Sequence, residues 1–68
     1  MKVFAKRLIE LRKQNNLTQR DMACLLGISQ PSYIRYEHNT AEPSYENLVK
    51  IADRFDVSVD YLLGRSNY

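Results

Sequence analysis

The side chains best suited to chemistry in this 68-residue chain are hydrogen-bonding groups near the starts of two short segments: Gln19 in one, and Gln30, Ser32 and Arg35 in the other. An amide offers a donor beside an acceptor, a guanidinium offers a planar fork of donors, and a hydroxyl can do either. Such groups recognise a partner rather than activate a nucleophile. Catalysis needs other constellations, and no paired carboxylates, Ser/His/Asp set or Gly-rich phosphate loop is legible. A single cysteine, Cys24, and a single histidine, His38, exclude an internal disulfide, a Cys-pair metal site and a zinc cluster. The chain reads as a binding protein without metal or cofactor, and not as an enzyme.

The elements that must position these residues lie between Leu17 and Asn39, in LTQRDMACLLGISQPSYIRYEHN. Thr18 stands where a helix N-cap belongs, and Asp21 three residues later completes a capping-box-like pair. Met22, Ala23 and Leu26 follow at helical spacing as one buried stripe. Gly27 stops that helix, because glycine enters the left-handed conformation freely. Ser29 caps the next helix, and Pro31 fits its first turn, where the missing N–H leaves no intrahelical bond unmade. A connection of about three residues forces the two helices to cross steeply, as in a helix-turn-helix.

Three more helices frame this pair. Phe4, Leu8 and Leu11 mark a first helix from about Lys2 to Asn15, ended by Asn15 and Asn16. The loop His38 to Pro43 follows the third helix, with Asn39 as its left-handed residue. Ser44 caps a fourth helix striped by Leu48, Ile51, Ala52 and Phe55. Ser58 opens a short fifth helix through Leu62 and Leu63, stopped by Gly64. No strand pattern, repeat, linker or membrane-length apolar run is present. With 44% hydrophobic residues the chain has enough for one core and too much for a disordered segment. These features, with no signal-peptide pattern after Met1, place it in a reducing cytoplasm.

Net charge is only +2, but its distribution is uneven. Residues 1–20 hold six bases (Lys2, Lys6, Arg7, Arg12, Lys13, Arg20) against Glu10, for +5. Residues 21–40 hold Arg35 against Asp21 and Glu37, for −1, and residues 41–68 hold three bases against five acids, for −2. A basic front and an acidic back give the chain a preferred face for polyanions.

In its joint spacing the sequence resembles the Cro/repressor-type helix-turn-helix family, which comprises phage repressors and Xre-like bacterial regulators. The matching elements are Arg7-x4-Arg12, Leu17-Thr18-Gln19, Met22-Ala23, Gly27-Ile28-Ser29-Gln30, Arg35-Tyr36-Glu37, Leu48-x2-Ile51-Ala52 and Val57-Ser58-Val59-Asp60-Tyr61-Leu62-Leu63. Ile28, Tyr33 and Tyr36 fall at the motif's inward positions. Four residues depart from the family pattern, in three ways. Tyr33 and Tyr36 stand where aliphatic residues are common, Asn39 replaces a frequent glycine, and Ile34 replaces a small polar residue.

The resemblance implies an all-α, compact five-helix lambda-repressor-like DNA-binding domain over residues 1–68, with its helix-turn-helix at about 18–38. It also implies a third helix lying in the major groove of double-stranded DNA with its N-terminal residues at base edges. Gln30 can then pair bidentately with adenine and Arg35 with guanine, while Pro31 and Ile34 can meet thymine methyls and Ser32 a base edge or phosphate. Gln19, in the first turn of the second helix, becomes a phosphate clamp that also touches Gln30. His38, Asn39 and Thr40 form a second phosphate contact. Arg12 and Glu37 become a structural pair tying the first helix to the end of the third.

The function implied is sequence-specific regulation of transcription by a bacterial or phage, nucleoid-associated protein: a repressor bound as a homodimer to a palindromic operator, and dimeric at least on DNA. The dimer surface is expected from Val57, Val59, Leu62 and Tyr68, although Val57 suits the core equally and Leu62 suits it better. No small-molecule effector is identified. The competing interpretation is an antitoxin-like or partner-binding protein whose main role is to hold another protein.

Overall fold

The computed structural model describes residues 2–67 and contains five helices: α1 (Lys2–Gln14), α2 (Gln19–Leu26), α3 (Gln30–Glu37), α4 (Tyr45–Phe55) and α5 (Val59–Leu62). No strand occurs among the described residues. Each helix from α2 onward starts on a hydroxyl. The side chains of Thr18, Ser29, Ser44 and Ser58 accept a hydrogen bond from the backbone N–H three residues ahead. At α2 the bond is reciprocal: Asp21 N–H donates to Thr18 Oγ1 at 3.0 Å, and Thr18 N–H donates to Asp21 Oδ2 at 2.8 Å. Two orphan donors of the first turn are thereby satisfied.

The helix ends are equally uniform. A left-handed residue follows each helix: Asn16, Gly27, Asn39, Asp56 and Gly64, with φ between 54° and 79°. After each of them the next N–H reaches back five residues, as from Leu17 to Arg12, Ile28 to Ala23, Thr40 to Arg35, Val57 to Ala52 and Arg65 to Asp60. This pattern satisfies the last carbonyls and turns the chain sharply. Asparagine and aspartate tolerate the conformation because their short polar side chains can bond locally. Asp56 has φ 54° and was not expected to stop a helix.

One core binds the five helices. Phe4 and Leu8 from α1, Met22 from α2, Tyr33 from α3, Ile51 from α4 and Leu62 from α5 are its most buried members. Ala23 is small and buried where α2 meets α3. The aromatic rings interlock edge-to-face, with Tyr36 centred 6.4 Å from Phe4 and 6.2 Å from Tyr33, the arrangement that ring quadrupoles favour. Thus the two tyrosines extend a core that the family pattern fills with aliphatic residues.

Leu62 is wholly enclosed, and Val57 and Val59 are half-buried against the same core. Leu62 is therefore a core residue, the placement that suited it better in the sequence, and not part of a dimer surface. Tyr68, also expected there, lies outside the described residues.

Candidate nucleic-acid interface

Helix α3 divides its residues cleanly. Tyr33, Tyr36 and Glu37 are buried, while Gln30, Pro31 and Arg35 are exposed and Ile34 is half-buried. At 3.6 residues per turn, Gln30, Pro31, Ile34, Arg35 and the following His38 share one arc of roughly 140°. Ser32 sits at its edge, half-buried, with its hydroxyl accepting from Ser29 Oγ at 2.9 Å. The outward arc is therefore three hydrogen-bonding side chains, an amide, a guanidinium and the imidazole of His38, interleaved with two apolar ones.

The charge of this face follows from burial. The helix's acid, Glu37, is only 7% exposed, so Arg35 is the charged side chain that α3 presents outward. Beyond the helix, His38, Asn39 and Thr40 form an exposed turn. Thr40 Oγ1 donates to the Arg35 carbonyl at 3.3 Å, so part of its hydrogen-bonding capacity closes the end of α3.

Behind the exposed arc, Glu37 gathers three helices. Arg12 of α1 grips its carboxylate with two prongs, Nε to Oε2 at 2.6 Å and Nη2 to Oε1 at 3.1 Å. The remaining Arg12 nitrogen, Nη1, donates to the Leu17 carbonyl at 3.0 Å and ties in the chain entering α2. Gln19 Nε2 donates to Glu37 Oε1 at 3.1 Å, and the buried Tyr33 hydroxyl donates to Oε2. A second link joins α3 to α4 where Asn47 Nδ2 donates to Tyr36 Oη at 3.2 Å. Every buried polar side-chain atom among the described residues has a partner, as a buried ionic group requires.

The expected Arg12–Glu37 pair is thus formed. Gln19 makes a bond that was not foreseen. Its amide is half-buried and bonded to Glu37, where a contact with Gln30 was expected. Sequence reading also missed the Tyr33 hydroxyl. The signal was available, since Tyr33 and Glu37 are four apart on one helix and therefore face each other. Arg7, another basic residue of the front segment, turns to α5. It lies 4.1 Å from the Tyr61 ring centre and donates to the Tyr61 and Ser66 carbonyls, which ties α5 to α1.

Protonation follows this geometry. Burial alone would push the Glu37 carboxyl up, but the hydrogen bonds from Arg12, Tyr33 and Gln19 outweigh it and hold the group below the ordinary glutamate range. The bond to Glu37 also raises Arg12. A carboxyl lowered on folding stabilises the native state fully above its unfolded pKa, about 4.3, and loses that contribution as pH falls through the folded value. Wild-type stability should therefore fall more steeply below about pH 4 than that of Glu37→Gln. Urea unfolding between neutral pH and pH 2.5 checks this, and parallel curves for the two proteins would contradict it.

Comparison with known proteins places this arrangement among relatives. A helix-turn-helix family model matches residues 8–62. The HTH-type transcriptional regulator YqaE of Bacillus subtilis is 48% identical over 66 residues, covering 96% of this chain and 57% of that protein. The cryptic phage CTXphi transcriptional repressor RstR of Vibrio cholerae is 50% identical over 60 residues, covering 88% of this chain and 54% of its own length. The chain thus spans about half the length of these curated relatives. The crystal structure of the P22 c2 repressor protein in complex with a synthetic operator superposes with a TM-score of 0.84 at 27% identity, covering 93% of this chain and 96% of that one. A model match over most of the sequence, on a fold with the same helix pair, establishes that the chain belongs to the helix-turn-helix family.

Proposed function

We propose that this protein is a sequence-specific DNA-binding transcriptional regulator, a repressor that sets α3 into the major groove of its operator. The observation that carries this is the exposed arc of α3. Gln30 and Arg35 stand on one side of the helix, its acid is turned inside, and the fold superposes on a repressor bound to operator DNA. In this role Gln30 reads adenine, Arg35 reads guanine, and Pro31 and Ile34 meet thymine methyls. His38, Asn39, Thr40 and Gln19 hold phosphates, Ser32 meets a base edge or a phosphate, and the binding involves no catalytic step.

One such unit, residues 1–68 built around the pair at 18–38, covers a short stretch of groove. Two copies related by a two-fold axis would bind half-sites about 10 bp apart or a multiple of that. Occupying a promoter then blocks polymerase. Arg7 and Arg12 are engaged within the fold, so the exposed bases Lys6, Lys13 and Arg20 of the front segment supply phosphate neutralisation and a steep salt dependence.

Selection from random duplex DNA with the purified chain tests this. The expected result is an enriched palindrome whose half-sites repeat at one helical turn. Absence of any enriched sequence would overturn it and favour a protein partner instead.

A further inference from the structure

Glu37 receives bonds from α1 and α2, but a glutamate side chain has three rotatable bonds and can swing on its own helix. What fixes it to α3 is Tyr33, one turn earlier. The Tyr33 ring is fully buried and packs edge-to-face on Tyr36, which packs in the same way on Phe4 of α1. Its hydroxyl donates to Oε2, the oxygen that Arg12 Nε also holds, while Oε1 takes Arg12 Nη2 and Gln19 Nε2. An aliphatic residue here could fill the core, but it would leave Oε2 to Arg12 alone.

We propose that Tyr33 is a positioning residue for DNA recognition: its hydroxyl fixes the Glu37 carboxylate to α3, so that the Gln19 amide in the first turn of α2 is held in one orientation relative to the outward arc of α3. This rests on the reading of Gln19 as a DNA-backbone contact. The two DNA-facing features sit on different helices, and the carboxylate braced by Tyr33 is what joins them. Burial, followed by the bond to Glu37, raises the phenol well above the ordinary tyrosine range, so it remains a donor wherever the fold persists.

Tyr33→Phe keeps the ring and removes only the hydroxyl. In the free, full chain, the Gln19 side-chain amide pair should give resolved 15N–1H resonances in the wild type that collapse toward free-glutamine positions in Tyr33→Phe. The core backbone resonances should stay. On the selected duplex, with all proteins fully folded, Tyr33→Phe and Gln19→Ala should each weaken binding about five- to tenfold, the worth of one hydrogen bond. The double variant should be no weaker than Gln19→Ala alone.

Wild-type affinity in Tyr33→Phe, or losses that add in the double variant, would overturn the proposal. Gln19→Ala with undiminished affinity would overturn it too, while leaving recognition by α3 standing. If the wild type binds no duplex, the DNA reading itself fails, and the Gln19 resonances alone decide whether Tyr33 positions that amide.

Discussion

Replacing Glu37 with alanine should cost about 3–5 kcal/mol of folding stability, because it strands a desolvated guanidinium rather than merely deleting a contact. Arg12 is buried to all but 13% of its side chain, and Gln19 and the Tyr33 hydroxyl lose their acceptor together with it. At roughly 0.05–0.15 kcal/mol per residue, a domain of this size holds only about 3–10 kcal/mol in all. Glu37→Ala should therefore lose a large share of the domain's stability. Arg12→Ala should be comparably harmful, since it leaves a buried carboxylate unpaired.

Removing both charges should be far milder. In Arg12→Met/Glu37→Leu, apolar side chains of similar volume replace a pair whose desolvation offsets much of its attraction. Urea unfolding of the wild type, Arg12→Met, Glu37→Leu and the double replacement gives the coupling, and additive losses would contradict the network. The double replacement should nonetheless bind DNA poorly. It restores stability without the bonds that aim α3 and α2 together.

Loss of the outward arc of α3 should act on binding and spare the fold. Gln30→Ala and Arg35→Ala are each expected to remove about 1–3 kcal/mol of discrimination at a single base position. In a two-fold dimer each change counts twice, so the loss on the palindrome is about 2–6 kcal/mol. Both side chains are exposed, so the melting temperature should hardly move. Selection with each variant should relax a different base of the half-site. Gln19→Ala, by contrast, should weaken binding to every sequence alike, as a backbone contact does. Variants that lose no base preference would show that α3 does not read the groove.

Much of this fold was legible because its punctuation is local. Thr18, Ser29, Ser44 and Ser58 announce helix starts through a bond that spans three residues, and Gly27, Asn39 and Gly64 announce ends through a single backbone angle. Such signals depend on neighbours in the chain. Asp56 escaped notice because aspartate enters the left-handed region less readily than glycine, and nothing nearby in sequence forces it there. The Arg12–Glu37 pair was legible only through family resemblance, since 25 residues separate its members. The bond from Gln19 to Glu37 depends on how α2 and α3 cross, which spacing alone does not set. Leu62 showed the same limit in reverse. Its helical position allowed either the core or an outer face, and close packing on α1 and α4 decided for the core.

One titration puts the whole account at risk. The 15N-labelled chain is titrated with the selected duplex, and its backbone and side-chain amide shifts are compared with those produced by a scrambled duplex of equal length and salt. The selected duplex should move Gln30 to Arg35, His38 to Thr40 and Gln19, while the scrambled one should move chiefly the backbone-contacting set, Gln19 and His38 to Thr40. Shifts confined to α4 and α5, or identical shifts with both duplexes, would mean that α3 is not the element that reads DNA.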